Sequence, residues 1–126
     1  MRYWFIILFI VFFSFPVLAV VPTQDMPIAV LRALDKITAR VEELDIPIGR
    51  PLKFGTLLIT LRACRTTPPE ETPESAAFLE VSEFKPGAKD TPIFHGWMFA
   101  SSPALSAMEH PVYDIWVTRC KNVSTK

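Results

Sequence analysis

Residues 57–64, LLITLRAC, decide the fold class. Leu57, Ile59, Leu61 and Ala63 fall on one side of an extended chain, with Leu58, Thr60, Arg62 and Cys64 on the other. That is the two-residue period of a β-strand, not the 3.6-residue period of a helix. Strict alternation turns Cys64 away from the core face, so a bulge or the strand's end must resolve its position.

The same alternation, punctuated by proline and glycine, extends in both directions. Upstream, Leu44, Ile46 and Ile48 alternate with Asp45 and Pro47; a proline lacks the N–H a central strand needs, which confines this strand to an edge or a bulge. Gly49-Arg50-Pro51 follows as a turn. Residues 30–41, VLRALDKITARV, read as a strand with a local bend at Asp35-Lys36. An amphipathic helix over residues 25–36 is the weaker reading, because its pattern runs on into Ile37-Thr38-Ala39 without a cap.

Downstream, residues 65–75, RTTPPEETPES, offer no apolar anchor and read as an exposed loop. Residues 76–84 form a strand in which Phe78, Glu80, Ser82 and Phe84 oppose Ala77, Leu79, Val81 and Glu83. After a turn opening at Pro86-Gly87, residues 93–99 place His95, Trp97 and Phe99 on one face, and residues 112–120 are the last strand. Between these two, Ser102 as N-cap and Pro103 as first residue predict a short helix over residues 103–108, with Leu105 and Met108 packed inward and Pro111 beyond its end. Six or seven short strands with one short helix predict a mainly β domain, an antiparallel sandwich or a small barrel.

The amino-terminal residues carry a different signal. Arg2, an apolar run from Phe5 to Phe13, the helix breaker Pro16 and the small-residue site Val17-Leu18-Ala19 have the form of a secretory signal peptide over residues 1–19, cleaved after Ala19. The competing reading is an uncleaved membrane anchor, the one route by which this chain would touch a bilayer. Residues 20–126 are then one domain. Export leads to an oxidising compartment, where Cys64 and Cys120, the two cysteines of the chain, are expected to form an intrachain disulfide. Neither the two-residue spacing of a redox pair nor a four-ligand zinc pattern is present. With 13 basic and 13 acidic residues in 126, and Arg2 lost with the leader, the charge balance gives no pull toward nucleic acid. Arg32, Lys36, Arg40, Arg50 and Lys53 interleave with Asp35, Glu42, Glu43 and Asp45, a solvated mixed face.

Read together, ALDKITARV at 33–41, LITLRAC at 58–64, TPESAAFLEV at 72–81 and FHGWMFASSPALSAMEHPVYDIWVTRC at 94–120 resemble a family of Gram-negative secreted proteins, domain of unknown function 2155. The resemblance spans nearly all of residues 20–126. It implies a small exported envelope protein of the periplasm with no established activity, and it supplies no catalytic or binding residues to carry over.

Chemistry-bearing side chains are densest between His95 and Asp114. A hydrolase would use Ser101 or Ser102 as nucleophile, His110 as base and Glu109 or Asp114 as the orienting carboxylate. ASSPA lacks the flanking glycines of a nucleophile elbow, so the favoured reading has Ser102 capping the helix and Glu109 or His110 fastening the connection. His95, Glu109, His110 and Asp114 match no compact metal motif, and neither metal nor cofactor is expected. Trp97, Phe99, Tyr113 and Trp116 fit a core better than a ligand groove, which leaves His95, Trp97 and Tyr113 as binding candidates. The leading expectation is a non-enzymatic module that binds or supports another envelope protein or a cell-wall component through residues 101–114.

Overall fold

The computed structural model describes residues 13–16 and 21–123. The expected cleavage bond after Ala19, and all of the expected leader but residues 13–16, lie outside the described residues. Eight strands follow in order: β1 (Gln24–Asp25), β2 (Ile28–Asp35), β3 (Arg40–Pro47), β4 (Leu52–Phe54), β5 (Leu57–Thr66), β6 (Ser75–Glu83), β7 (Thr91–Phe99) and β8 (Tyr113–Lys121). Every pairing is antiparallel. One sheet runs β1-β5-β6-β7, with β4 also on β5, and the other runs β3-β2-β8. The two sheets stay separate, so of the two architectures expected the sandwich is the one formed. Among the described residues no helix is long and apolar enough to cross a membrane.

The core lies between the sheets and follows the alternation. Ala29, Leu31 and Ala33 of β2 and Ile115 and Val117 of β8 meet Leu57, Ile59 and Leu61 of β5 and Ala77, Leu79 and Val81 of β6, all buried. Each fully buried Leu, Ile or Val side chain contributes about 1.5–3 kcal/mol relative to exposure.

Two irregularities set the cysteines. In β5, Leu61 pairs with Leu79 and Ala63 with Phe78, so Arg62 is the extra residue of a bulge. In β8, Val117 pairs with Leu31 and Arg119 with Val30, so Thr118 is extra, and its hydroxyl donates to the Val30 carbonyl at 2.9 Å. Each bulge inverts the alternation beyond it. Cys64 and Cys120 therefore both turn inward and form the disulfide that joins the sheets across 56 residues of chain. This resolves the conflict that the 57–64 pattern raises.

Several elements differ from expectation. The 30–41 run is a β-hairpin rather than one bent strand: Asp35 Oδ1 accepts the Ile37 and Thr38 N–H groups, Ala39 takes a positive φ of 58°, and Ile37 and Val41 stay exposed. β3 is an edge strand, as Pro47 requires. β5 extends to Thr66, and Thr67, buried, ties the loop by accepting the Glu74 N–H and donating to the Thr72 carbonyl. β1 and β4, of two and three residues, are too short for a periodic signal and pair along the outer edge of β5.

The expected six-residue helix is a single 3-10 turn, Pro103–Ser106, whose Ser102 hydroxyl makes no cap. Leu105, expected inward, is 73% exposed, whereas Met108 is buried as expected. Distance explains the shortness. The β7–β8 connection must run the length of β6, nine residues or roughly 25 Å at about 3.3 Å per step, and a longer helix rising about 1.5 Å per residue would not reach.

Candidate functional site

The β7–β8 connection is fastened at both ends to carboxylates flanking β6. At the first end, Glu74 sits just before β6, and its carboxylate accepts the Ser75 N–H at 3.0 Å, the Ser101 N–H at 3.1 Å and the Ser101 hydroxyl. Ser75 continues the tie inward, where its hydroxyl accepts the Cys120 N–H at 3.4 Å. Thr66, Pro68, Glu74, Ser101 and Arg119 line a shallow cleft of about 450 Å³ here.

At the other end, Glu83 closes β6 in line with Ala77, Leu79 and Val81, and so points into the rim of the sandwich. His110 meets it, Nε2 against Oε2. The ring's other nitrogen, Nδ1, accepts the N–H groups of Val112 at 3.0 Å and Tyr113 at 3.1 Å. An imidazole that accepts at Nδ1 carries its proton on Nε2, so His110 is a neutral donor to the Glu83 carboxylate. The hydrogen bond from His110 holds the Glu83 carboxyl below its ordinary titration range, against the opposing effect of desolvation. The ring packs on Tyr113 with centroids 5.2 Å apart, and Lys36 Nζ donates to the His110 carbonyl at 2.9 Å. Glu83, Lys85, Ile93, Glu109, His110 and Tyr113 line an open groove of about 620 Å³.

Ser101 and His110 are thus bound to opposite ends of β6, roughly 25 Å apart by the strand rise, far beyond hydrogen-bond reach. Ser102 stands beside Ser101, its carbonyl accepting the Leu105 N–H at 3.1 Å. Asp114 lies 3.9 Å from Lys36 Nζ, and Glu109 is exposed on the groove wall. The hydrolase reading has no assembled triad. Of the expected fasteners, His110 fills that role.

His95 and Trp97 lie elsewhere, on β7, with His95 exposed opposite Glu80. Trp97 packs edge-on against Phe78 at 5.5 Å and lies under the Arg65 guanidinium at 5.7 Å. Tyr113 alone of the three binding candidates reaches the groove, where it also packs edge-on with Phe54 at 5.5 Å. Among the described residues no three His, Cys, Asp or Glu side chains cluster as a metal site.

Sequence reasoning missed Glu74 and Glu83. Glu83 left one signal, an acid in register with an otherwise apolar inward row. Glu74 left none beyond its place before a strand.

Comparison with known proteins places the sequence in a group. The chain is 35% identical over 88 residues to Uncharacterized protein RP359 of Rickettsia prowazekii (strain Madrid E), a match covering 70% of this chain and 57% of that protein. No solved structure matches. The family model described as "Uncharacterized protein conserved in bacteria (DUF2155)" matches residues 29–120, from β2 to the second cysteine, and the chain belongs to that family.

Proposed function

We propose that this chain is a non-catalytic docking module of the bacterial cell envelope, exported by its leader, which holds another envelope protein or a cell-wall component on the outer surface of its β7–β8 connection. The carrying observation is the use to which the reactive side chains are put. Ser101 and His110 are both consumed in fastening the connection to β6, and between these fasteners Pro103, Ala104, Leu105 and Ala107 face solvent. A loop held rigidly on a scaffold, with apolar residues outward, is the form in which binding surfaces are commonly built. The inter-sheet disulfide supports an oxidising compartment.

A photocrosslinking residue placed at Leu105 in intact cells tests this. A discrete envelope adduct is expected, absent when the same residue replaces exposed Arg40 of β3. No adduct, or identical adducts from both positions, contradicts the proposal.

A further inference from the structure

We infer that His110, held on Glu83, is an acid-released latch on the chain that leads from the β7–β8 connection into β8, which loosens behind the ring as pH falls; its regulatory meaning rests on the docking reading above. Both ring nitrogens of His110 are committed, Nε2 as donor to Glu83 and Nδ1 as acceptor of two backbone N–H groups. A second proton has one lone pair to bind, that of Nδ1. Once there it points at the Val112 and Tyr113 N–H groups, three donors converge with no acceptor, and the backbone must turn away. Glu83 remains an acceptor for Nε2, so the ring stays with β6 while the chain behind it is expelled.

The charges around the ring permit this. Glu83 from β6 touches the ring, and Glu109 from the connection lines the same groove. Against them stand Lys85, 3.7 Å from Glu83, and Lys36 from the β2–β3 turn, which lies 3.9 Å from Asp114 of β8. Tyr113, the other titratable group in contact, presents its ring to the imidazole. The ring is mostly buried, its side chain 9% exposed, so solvent does not replace the lost acceptor in place. Met108 is the one buried residue of the connection between Ala100 and Val112, so the connection stays held at Ser101, Met108 and the ring while the chain from Pro111 to Tyr113 opens.

Amide hydrogen exchange on the disulfide-bonded protein, corrected for intrinsic rates, tests the latch. Between about pH 7.5 and about pH 5, where histidines ordinarily titrate, protection at Val112 and Tyr113 should fall about tenfold relative to Leu79 in β6, the ratio that separates local from global opening. His110→Asn places a non-titrating oxygen near the Nδ1 position and should abolish the dependence. Ring-nitrogen NMR of the unsubstituted protein needs no variant: Nδ1 should gain its proton over the same interval. Unchanged protection, equal loss at Leu79, the same loss in H110N, or loss without ring protonation each overturns the latch. Because no partner is present, these results stand whether or not Leu105 yields its adduct.

Discussion

Cys64 and Cys120 lie on facing sheets with Cα atoms 5.8 Å apart, and each follows by two residues the extra residue of a β-bulge. Without Arg62 and Thr118 as those extra residues, unbroken alternation would point both sulfurs out of the sandwich. The bond is thus a product of two local defects in register placed at matching distances.

Opening the bond should cost about 4 kcal/mol, the denatured-state entropy of a loop closed over 56 residues. Urea unfolding of the protein with and without reductant measures it. A difference under about 1 kcal/mol would mean that the bond constrains little.

Deleting Arg62 removes the extra residue, so Ala63 and Cys64 follow Leu61 without a break, opposite Phe78 and Ala77, and Cys64 keeps its inward side. Alkylation and mass measurement should then find no free thiol. Two free thiols in the variant would show that the bulge does more than set which way the cysteine faces.

The strands were legible because alternation is a local property. So was the choice between an edge and a bulge at Pro47, and between a bulge and the strand's end at Cys64, of which the edge and the bulge formed. The connection was not legible, since its two fasteners each join residues 27 apart in sequence. The helix was overestimated for a related reason: Ser102-Pro103 is a sound local start, but the span along β6 sets how much helix the segment can hold. The 30–41 run misled because Ile37 and Val41 are apolar yet lie at the exposed end of a hairpin.

Gly55 turns the chain from β4 into β5 at φ 56°, and a Cβ there would overlap the hydroxyl and Cζ of Tyr113. Gly55→Ala should destabilise the protein by about 1–3 kcal/mol. In a Tyr113→Ala background only the backbone cost of about 1 kcal/mol should remain. Additive melting shifts would place the clash elsewhere.

Ser101→Ala removes one of three donors to Glu74 and should cost about 1 kcal/mol. A serine-reactive phosphonate should leave the parent unlabelled, since this hydroxyl is tied to the Glu74 carboxylate and neither His95 nor His110 is placed beside it. Labelling that disappears in Ser101→Ala would restore the hydrolase reading.

The lowered Glu83 carboxyl fixes the sign of an acid effect. Between the ordinary carboxylate value of 4.5 and its folded-state value, the unfolded chain binds more protons than the folded one. Its contribution to stability is therefore present above that ordinary value and lost as pH falls through the folded one. Glu83→Gln should flatten the acid limb of a stability-versus-pH curve, and an unaltered limb would assign the titration to another group.

Differential thiol alkylation followed by mass spectrometry, on protein taken from growing cells, decides whether an exported, sulfur-bridged sandwich is what the cell makes. Cys64 and Cys120 should resist alkylation until reduced, in a chain that begins at Val20. Two freely alkylated cysteines in a chain still carrying Met1 would contradict both the export and the bridge.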